Sequence, residues 1–156
     1  MKIWHYTVDH HYKQIIKDGF IKTAPLYVNE SEKPAVWFSS NSHYEETVRK
    51  SLRDNETGEL LKNLSKDALF ERGVLPVRLE VNPSTVKLHN WEEFQLQSDI
   101  KKEVADSLVD VARGWGAHSE EWYASFEPVP IESGVIRVEW WNGQEWVSWN
   151  NKVFEE

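Results

Sequence analysis

The chain lacks cysteine and any long apolar run. None of its 156 residues is cysteine, which excludes disulfides, thiolate nucleophiles, zinc ribbons and iron–sulfur clusters. No stretch reaches the roughly 18 consecutive apolar residues that a membrane-spanning helix needs. The first residues also lack the apolar segment of a signal peptide, which is about 7–15 residues long. We therefore expect a soluble, cytoplasmic protein with no membrane partner.

Positive charge is also scarce. The 18 basic residues are outnumbered by 26 acidic ones, so the formal net charge is −8. An acidic protein is repelled by phosphate backbones. We expect no general binding to nucleic acid.

Several motifs of catalytic and metal sites are missing. The chain has six histidines, but it contains no His-x-x-x-His or His-Glu-x-x-His spacing, which predicts no metal site. No Gly-x-Ser-x-Gly elbow is present, nor a Walker loop or Gly-x-Gly-x-x-Gly turn. Serine hydrolases of the elbow type and the common phosphate-binding loops are therefore not indicated.

The length and the order of the predicted elements indicate one α+β domain over residues 1–156. A short strand at residues 2–6 precedes a helix that ends at Gly19, and a β-prone run at 35–38 precedes a second helix. That second helix is predicted to begin at Ser42, because Ser42 and Glu45 fit a capping box. A further helix is predicted from Ser98 or Asp99 to Gly114.

Alternating or apolar segments predict three later strands, at residues 77–81, 122–126 and 135–141. Asn142-Gly143 then favours a type I′ hairpin with residues 144–149. In that register Trp140 and Val147 share one face of the hairpin, while Trp141 and Trp146 share the other.

Tryptophan is the residue in excess. The chain has nine tryptophans, and such rings either fill a core or form the wall of a binding cleft. Packing in the core is the more common role of large aromatic side chains.

One arrangement in the first third of the chain is not accounted for by packing alone. The triplet His5-Tyr6-Thr7 ends a strand, the following helix ends at Gly19-Phe20-Ile21, and a later strand carries Val36-Trp37-Phe38-Ser39-Ser40. This arrangement resembles the ADP-ribosyltransferase fold superfamily, in its branch with a histidine, an aromatic residue and a glutamate in the active site. The resemblance covers residues 3–52. It implies two small, mostly antiparallel sheets that form a cleft with flanking helices.

The resemblance also implies a substrate, NAD, and a set of site residues. His5 would hydrogen-bond the NAD ribose, Tyr6 or Trp37 would stack on nicotinamide, and Ser39 would support the pocket. The complete set of expected binding residues is His5, Tyr6, Thr7, Trp37, Phe38, Ser39, Ser40 and Tyr44.

The family also uses a glutamate near a late strand, which stabilises the positive charge that develops as nicotinamide leaves. Glu127 and Glu121 are the two candidates. We favour Glu127 as the catalytic carboxylate, with His5 as the second catalytic residue. The expected activity is transfer of ADP-ribose to a protein or small-molecule acceptor, or cleavage of NAD.

The alternative is a binding module without catalysis. The same fold can serve as a nucleotide-binding or protein-binding inhibitor, of the small acidic kind that phages and mobile elements encode. The uncertain position of the glutamate and the tryptophan-rich last hairpin support this alternative.

Overall fold

The computed structural model describes residues 1–24, 33–51 and 64–149. The strands are β1 (Trp4–Val8), β2 (Phe20–Ile21), β3 (Val36–Ser39), β4 (Pro76–Val81), β5 (His89–Asn90), β6 (Trp122–Ser125), β7 (Val129–Pro130), β8 (Val135–Trp141) and β9 (Trp146–Ser148). The helices are α1 (Asp9–Asp18), α2 (Lys66–Glu71), α3 (Trp91–Gln97), α4 (Lys102–Gly114) and α5 (Ile131–Gly134). Two 3-10 helices span Glu46–Ser51 and Ser119–Glu121.

The strands form one large and one very small sheet. Seven strands lie in the order β5-β6-β3-β1-β4-β8-β9, and β2 pairs with β7. Neighbouring strands in both sheets pair antiparallel. The predicted α+β class with antiparallel sheets is therefore confirmed. The predicted pair of small sheets is not what these residues form, because β1 pairs with β3 on one side and β4 on the other and so joins the strands into one sheet.

The large sheet has a core on each face, because successive side chains of a strand point to opposite sides. On one face Phe38, Leu79 and Val138 pack against Tyr12 and Ile15 of α1. The other face, which we call the cavity face, carries Trp4, Tyr6, Trp37, Ser39 and Trp122. Two helices, α3 and α4, cover the β6 and β3 end of the cavity face.

The helix predicted to end at Gly114 corresponds to α4, and a separate helix, α3, precedes it. The predicted C-terminal end at Gly114 is confirmed, but α4 begins at Lys102 rather than at Ser98 or Asp99. Asp99 has a φ of 63°, in the left-handed region that interrupts a helix. No helix was predicted at α3, although Asn90 and Glu93 form a capping box at its start.

The second helix predicted at Ser42 does not begin there. Oδ1 of Asn41 accepts hydrogen bonds from the backbone N–H groups of His43 and Tyr44, so a turn occupies these residues. The 3-10 helix begins only at Glu46. The predicted capping box of Ser42 and Glu45 is therefore wrong, and Glu45 turns inward instead.

The predicted hairpin is present with a different turn. Trp140 pairs with Val147 and Trp141 with Trp146, which confirms the predicted faces. The loop has four residues rather than two, because Trp141 and Trp146 form the last pair. A type I′ turn needs positive φ at both central residues, and Asn142 does not have it. Its side chain instead accepts hydrogen bonds from the N–H groups of Gln144 and Glu145.

Candidate ligand-binding site

A cavity of about 230 Å³ lies on the cavity face of the large sheet. Trp4, Tyr6, Trp37, Ser39 and Trp122 line it from the sheet. The remaining side chains of its wall come from α4 and the residue after it, from the segment that follows Tyr44, and from the ends of β2 and β3: Leu108, Val111, Ala112, Trp115, Glu45, Thr47, Val48, Lys22, Ala24 and Ala35. The cavity is thus bounded by aromatic rings on one side and by a helix and a carboxylate-bearing segment on the others.

The tryptophans are held in place by other aromatic rings. Trp37 meets Phe94 of α3 edge to face at 4.5 Å between ring centroids. Trp122 makes the same kind of contact with Trp91, at 5.1 Å. Because α3 is fixed at its N-terminus by the Asn90 capping box, the indoles at this end of the sheet have little freedom to reorient.

Four buried polar atoms of the cavity wall have no hydrogen-bond partner among the described residues. They are Nε1 of Trp4, Trp37 and Trp122 and Oε1 of Glu45. All four residues line the cavity. An unsatisfied buried polar group costs about 1–3 kcal/mol, so native proteins keep few of them. Three donors and one acceptor gathered around one cavity indicate a binding site for a ligand that supplies the missing partners.

Glu45 is the acidic residue of the cavity wall. Only 6% of its surface is exposed. Its Oε2 accepts hydrogen bonds from the N–H and the hydroxyl of Thr47, at 3.2 and 2.6 Å. One carboxylate oxygen is therefore fixed while the other is unpartnered. The sequence predicted Glu45 to be a helix-capping residue; the turn signal of Asn41 was the feature that could have revealed its inward position.

A buried ion pair holds the segment before Glu45 against the sheet. The Arg78 guanidinium lies 2.6 Å from Glu139 and stacks between the rings of Trp4 and Trp146, at 3.8 and 4.6 Å. It also donates to the Ser42 carbonyl at 2.5 Å. Arg78 thereby fixes both a tryptophan of the cavity and the turn that positions Glu45.

Tyr6 also forms a hydrogen bond to the same turn. Its hydroxyl donates a hydrogen bond to the Asn41 carbonyl and accepts one from Arg78 at 3.3 Å. Burial raises the pKa of Tyr6 to about 12, against a smaller opposite effect of Arg78. The phenol is therefore a protonated donor at neutral pH.

His5 is among the residues that border the cavity, but it lies between Trp4 and Tyr6 on β1, so its side chain points to the opposite face of the sheet, where its ring packs on Phe38 at 5.9 Å between centroids. Its Nδ1 lies 2.8 Å from the Trp37 carbonyl oxygen, and because a carbonyl can only accept, Nδ1 carries the proton. Burial lowers the pKa of His5, while the hydrogen bond to Trp37 raises it by a smaller amount and His11 lowers it further. The imidazole is therefore neutral at pH 7, and its Nε2 is a hydrogen-bond acceptor.

Five of the eight binding residues expected from the sequence border the cavity: His5, Tyr6, Trp37, Phe38 and Ser39. The side chains of Tyr6, Trp37 and Ser39 lie on the cavity face, whereas those of His5 and Phe38 lie on the opposite face. Among the described residues, the cavity wall does not include Thr7, Ser40 or Tyr44. Thr7 and Tyr44 are buried elsewhere, and the Tyr44 ring packs on Tyr6 at 5.5 Å. The N–H of Ser40 donates to the Glu121 carbonyl.

The two glutamates predicted as catalytic lie at opposite ends of β6. Ser39 pairs with Trp122, next to Glu121, whereas Val36 pairs with Ser125, so Glu127 lies beyond the far end of the strand. Glu127 is exposed and its backbone bonds to the Ser125 hydroxyl. Oε1 of Glu121 instead accepts from Asn41, at 3.3 Å. The geometry does not bring Glu127 to the cavity, and its catalytic role stays a prediction.

In the described part of the chain, no group of three or more histidine, aspartate or glutamate side chains is placed to hold a metal ion. None of the helices in those same residue ranges has the length and apolar character needed to cross a membrane.

Comparison of the chain with protein-family models, curated proteins and solved structures gives no significant match. The resemblance to ADP-ribosyltransferases therefore rests on the residues quoted from the sequence.

Proposed function

We propose that the protein binds NAD, with the nicotinamide and its ribose in the tryptophan-lined cavity, and transfers ADP-ribose to an acceptor. The observation that carries the proposal is the meeting of Tyr6, Trp37 and Ser39 with the buried Glu45 carboxylate around one cavity. The first three were expected there from the resemblance. The carboxylate supplies the charge that this chemistry needs.

The size of the cavity supports occupation by only part of the dinucleotide. Its volume of about 230 Å³ is below the ~300–1,000 Å³ of pockets that enclose a drug-sized ligand. One ring with its sugar is therefore the portion to be enclosed, with the pyrophosphate outside.

Two wall residues, Trp37 and Glu45, have a role in this proposal. The indole of Trp37 packs on the nicotinamide ring. The ribose-binding role that the resemblance gives to His5 has no support from this geometry, because the His5 side chain lies on the other face of the sheet. When the bond between ribose and nicotinamide breaks, its electron pair leaves with the nicotinamide nitrogen and the sugar becomes cationic. Oε1 of Glu45 stabilises that cation, as carboxylates do in glycosidases.

The acceptor then completes the reaction. Its nucleophilic atom forms a bond to the ribose carbon that nicotinamide has left, and its proton passes to a base or to water. The acceptor is a protein side chain or a small molecule.

A nucleotide-binding module without catalysis is the second candidate. The observation that favours it is that Glu127, the carboxylate expected to be catalytic, is exposed and is not part of the cavity wall. In that case the cavity holds the nucleotide without cleaving it.

Release of nicotinamide from NAD, followed by chromatography, tests the proposal in the wild type and in Glu45→Gln. We expect the variant to release nicotinamide about 10²–10³-fold more slowly, the usual effect of removing a group that stabilises transition-state charge. Glutamine can still accept the hydrogen bonds from Thr47, so the fold should be kept, which a melting temperature checks.

Glu127→Gln is the matched control and should behave as the wild type. If it abolishes release while Glu45→Gln does not, Glu127 is the catalytic group and our assignment of Glu45 is wrong. If NAD raises the melting temperature but no nicotinamide appears, the protein is a binding module. If NAD has neither effect, the nucleotide proposal fails.

A further inference from the structure

We infer that the cavity selects a cationic organic group, which in the proposed complex is the pyridinium ring of oxidised NAD. The inference rests on the proposed function for the identity of the ligand, but its chemistry comes from the cavity wall. The wall combines several aromatic rings with one buried, incompletely paired carboxylate.

Glu45 is a buried carboxylate that lacks a positively charged partner among the described residues. No ion pair to Glu45 is present among the described residues, although only 6% of its surface is exposed. A buried carboxylate is strongly unfavourable unless a positive charge or several hydrogen bonds compensate it. Thr47 partners only one of its two oxygens, so a ligand cation would compensate the other.

Two basic residues near the cavity, Arg78 and Lys22, are already paired within the part of the chain that the structure describes. Arg78 lies 2.6 Å from Glu139, so its charge is neutralised within its own pair. Lys22 lies 3.3 Å from Asp18, and its side chain is 64% exposed. Neither residue supplies the positive charge that Glu45 lacks.

Aromatic rings form much of the cavity wall. Trp4, Trp37, Trp115, Trp122 and Tyr6 all line the cavity. Aromatic faces attract cations, and tryptophan does so most strongly. The same sheet face already uses this interaction, since the Arg78 guanidinium lies over Trp4 at 3.8 Å. Aromatic rings beside a carboxylate are the arrangement that recognises organic cations.

Selection for a cation favours release of the neutral product after cleavage. Oxidised NAD carries its positive charge on the pyridinium ring, whereas reduced NAD and free nicotinamide carry none on that ring. Cleavage therefore removes the charge that the cavity attracts, and neutral nicotinamide dissociates more readily than the substrate.

The test uses two small probes that differ in charge, the N-methylnicotinamide cation and neutral nicotinamide, with binding measured by titration calorimetry. We expect the wild type to bind the cation about tenfold or more tightly than nicotinamide. Glu45→Gln should reduce this preference to about twofold or less while binding of nicotinamide stays the same. Glu127→Gln should keep the preference of the wild type.

The outcomes separate this inference from the proposed function. If the wild type binds the two probes equally, or binds neither, or if Glu45→Gln keeps the full preference, the cation inference is overturned, even where NAD itself binds and is cleaved. If the cation binds selectively and NAD neither raises the melting temperature nor releases nicotinamide, the inference stands and the proposed function fails.

Discussion

His5 is a half-buried imidazole whose protonation is linked to folding. Burial lowers the pKa of His5 in the folded protein, whereas an unfolded chain has a histidine pKa of about 6.5. As the pH falls below about 6.5, the unfolded chain takes up a proton that the folded protein does not. The free energy of unfolding therefore decreases as the pH is lowered through this window, by at most about 1.4 kcal/mol per pH unit for one group.

We predict that His5→Asn makes this acid destabilisation shallower, because asparagine can still donate to the Trp37 carbonyl but does not titrate. Urea unfolding between pH 5 and pH 8 measures the slope. Burial also lowers the pKa of His11, so part of the slope should persist in the variant. The exposed His118 provides a control in His118→Asn, and equal slopes for His5→Asn and the wild type would contradict the prediction.

At the scale of elements, the tip of the last hairpin depends on one glycine. Gly143 has a φ of 98°, in the region that L residues with a side chain rarely adopt. A Cβ built there would lie 2.8 Å from Cε2 of Phe70, the last residue but one of α2. The hairpin and α2 therefore approach each other closely only because this position has no side chain.

Gly143→Ala is expected to lower the free energy of unfolding by about 1–3 kcal/mol, because of the backbone strain and the contact with Phe70. Gly114→Ala is the matched control: Gly114 ends α4 without positive φ and with open space around its Cα, so alanine should be neutral or stabilising by up to about 1 kcal/mol. Chemical denaturation compares the two, and an equal effect in both would contradict the role of Gly143.

At the scale of the whole molecule, the large sheet joins the two cores. Its central strands β1, β3 and β4 place alternate residues in the core next to α1 and in the cavity face. A change in one core must therefore be felt in the other. We expect the described domain to unfold in one cooperative step.

Leu79→Ala tests this cooperativity, because Leu79 is 0% exposed in the core next to α1. The substitution should cost about 2–5 kcal/mol. Tryptophan fluorescence, which reports mainly on the cavity face, and far-ultraviolet circular dichroism should shift together. Leu96→Ala, at a position 85% exposed, should change the free energy of unfolding by no more than about 0.5 kcal/mol. Two separate transitions would show that the cores unfold independently.

Local sequence patterns determined the helix ending at Gly19, the strand at Val36–Ser39 and the faces of the last hairpin. Each of these features follows from interactions between residues close together in the chain, such as a glycine that adopts positive φ or the alternation of a strand. The resemblance, rather than periodicity, selected Trp37 and Ser39, which the structure brings to one cavity, and His5, whose side chain lies on the opposite face of the sheet.

Tertiary structure alone decided the joining of the strands into one sheet and the position of the carboxylate. Glu45 faces the cavity because Arg78, distant in sequence, holds the Ser42 carbonyl and so the turn before it. Glu127 lies beyond Ser125, the last residue of β6 that pairs with β3, and is exposed rather than in the cavity wall. The joining of the strands and the position of Glu45 both depend on pairings between residues far apart in the chain, and the periodicity of a single segment carries no information about which distant segment it will meet.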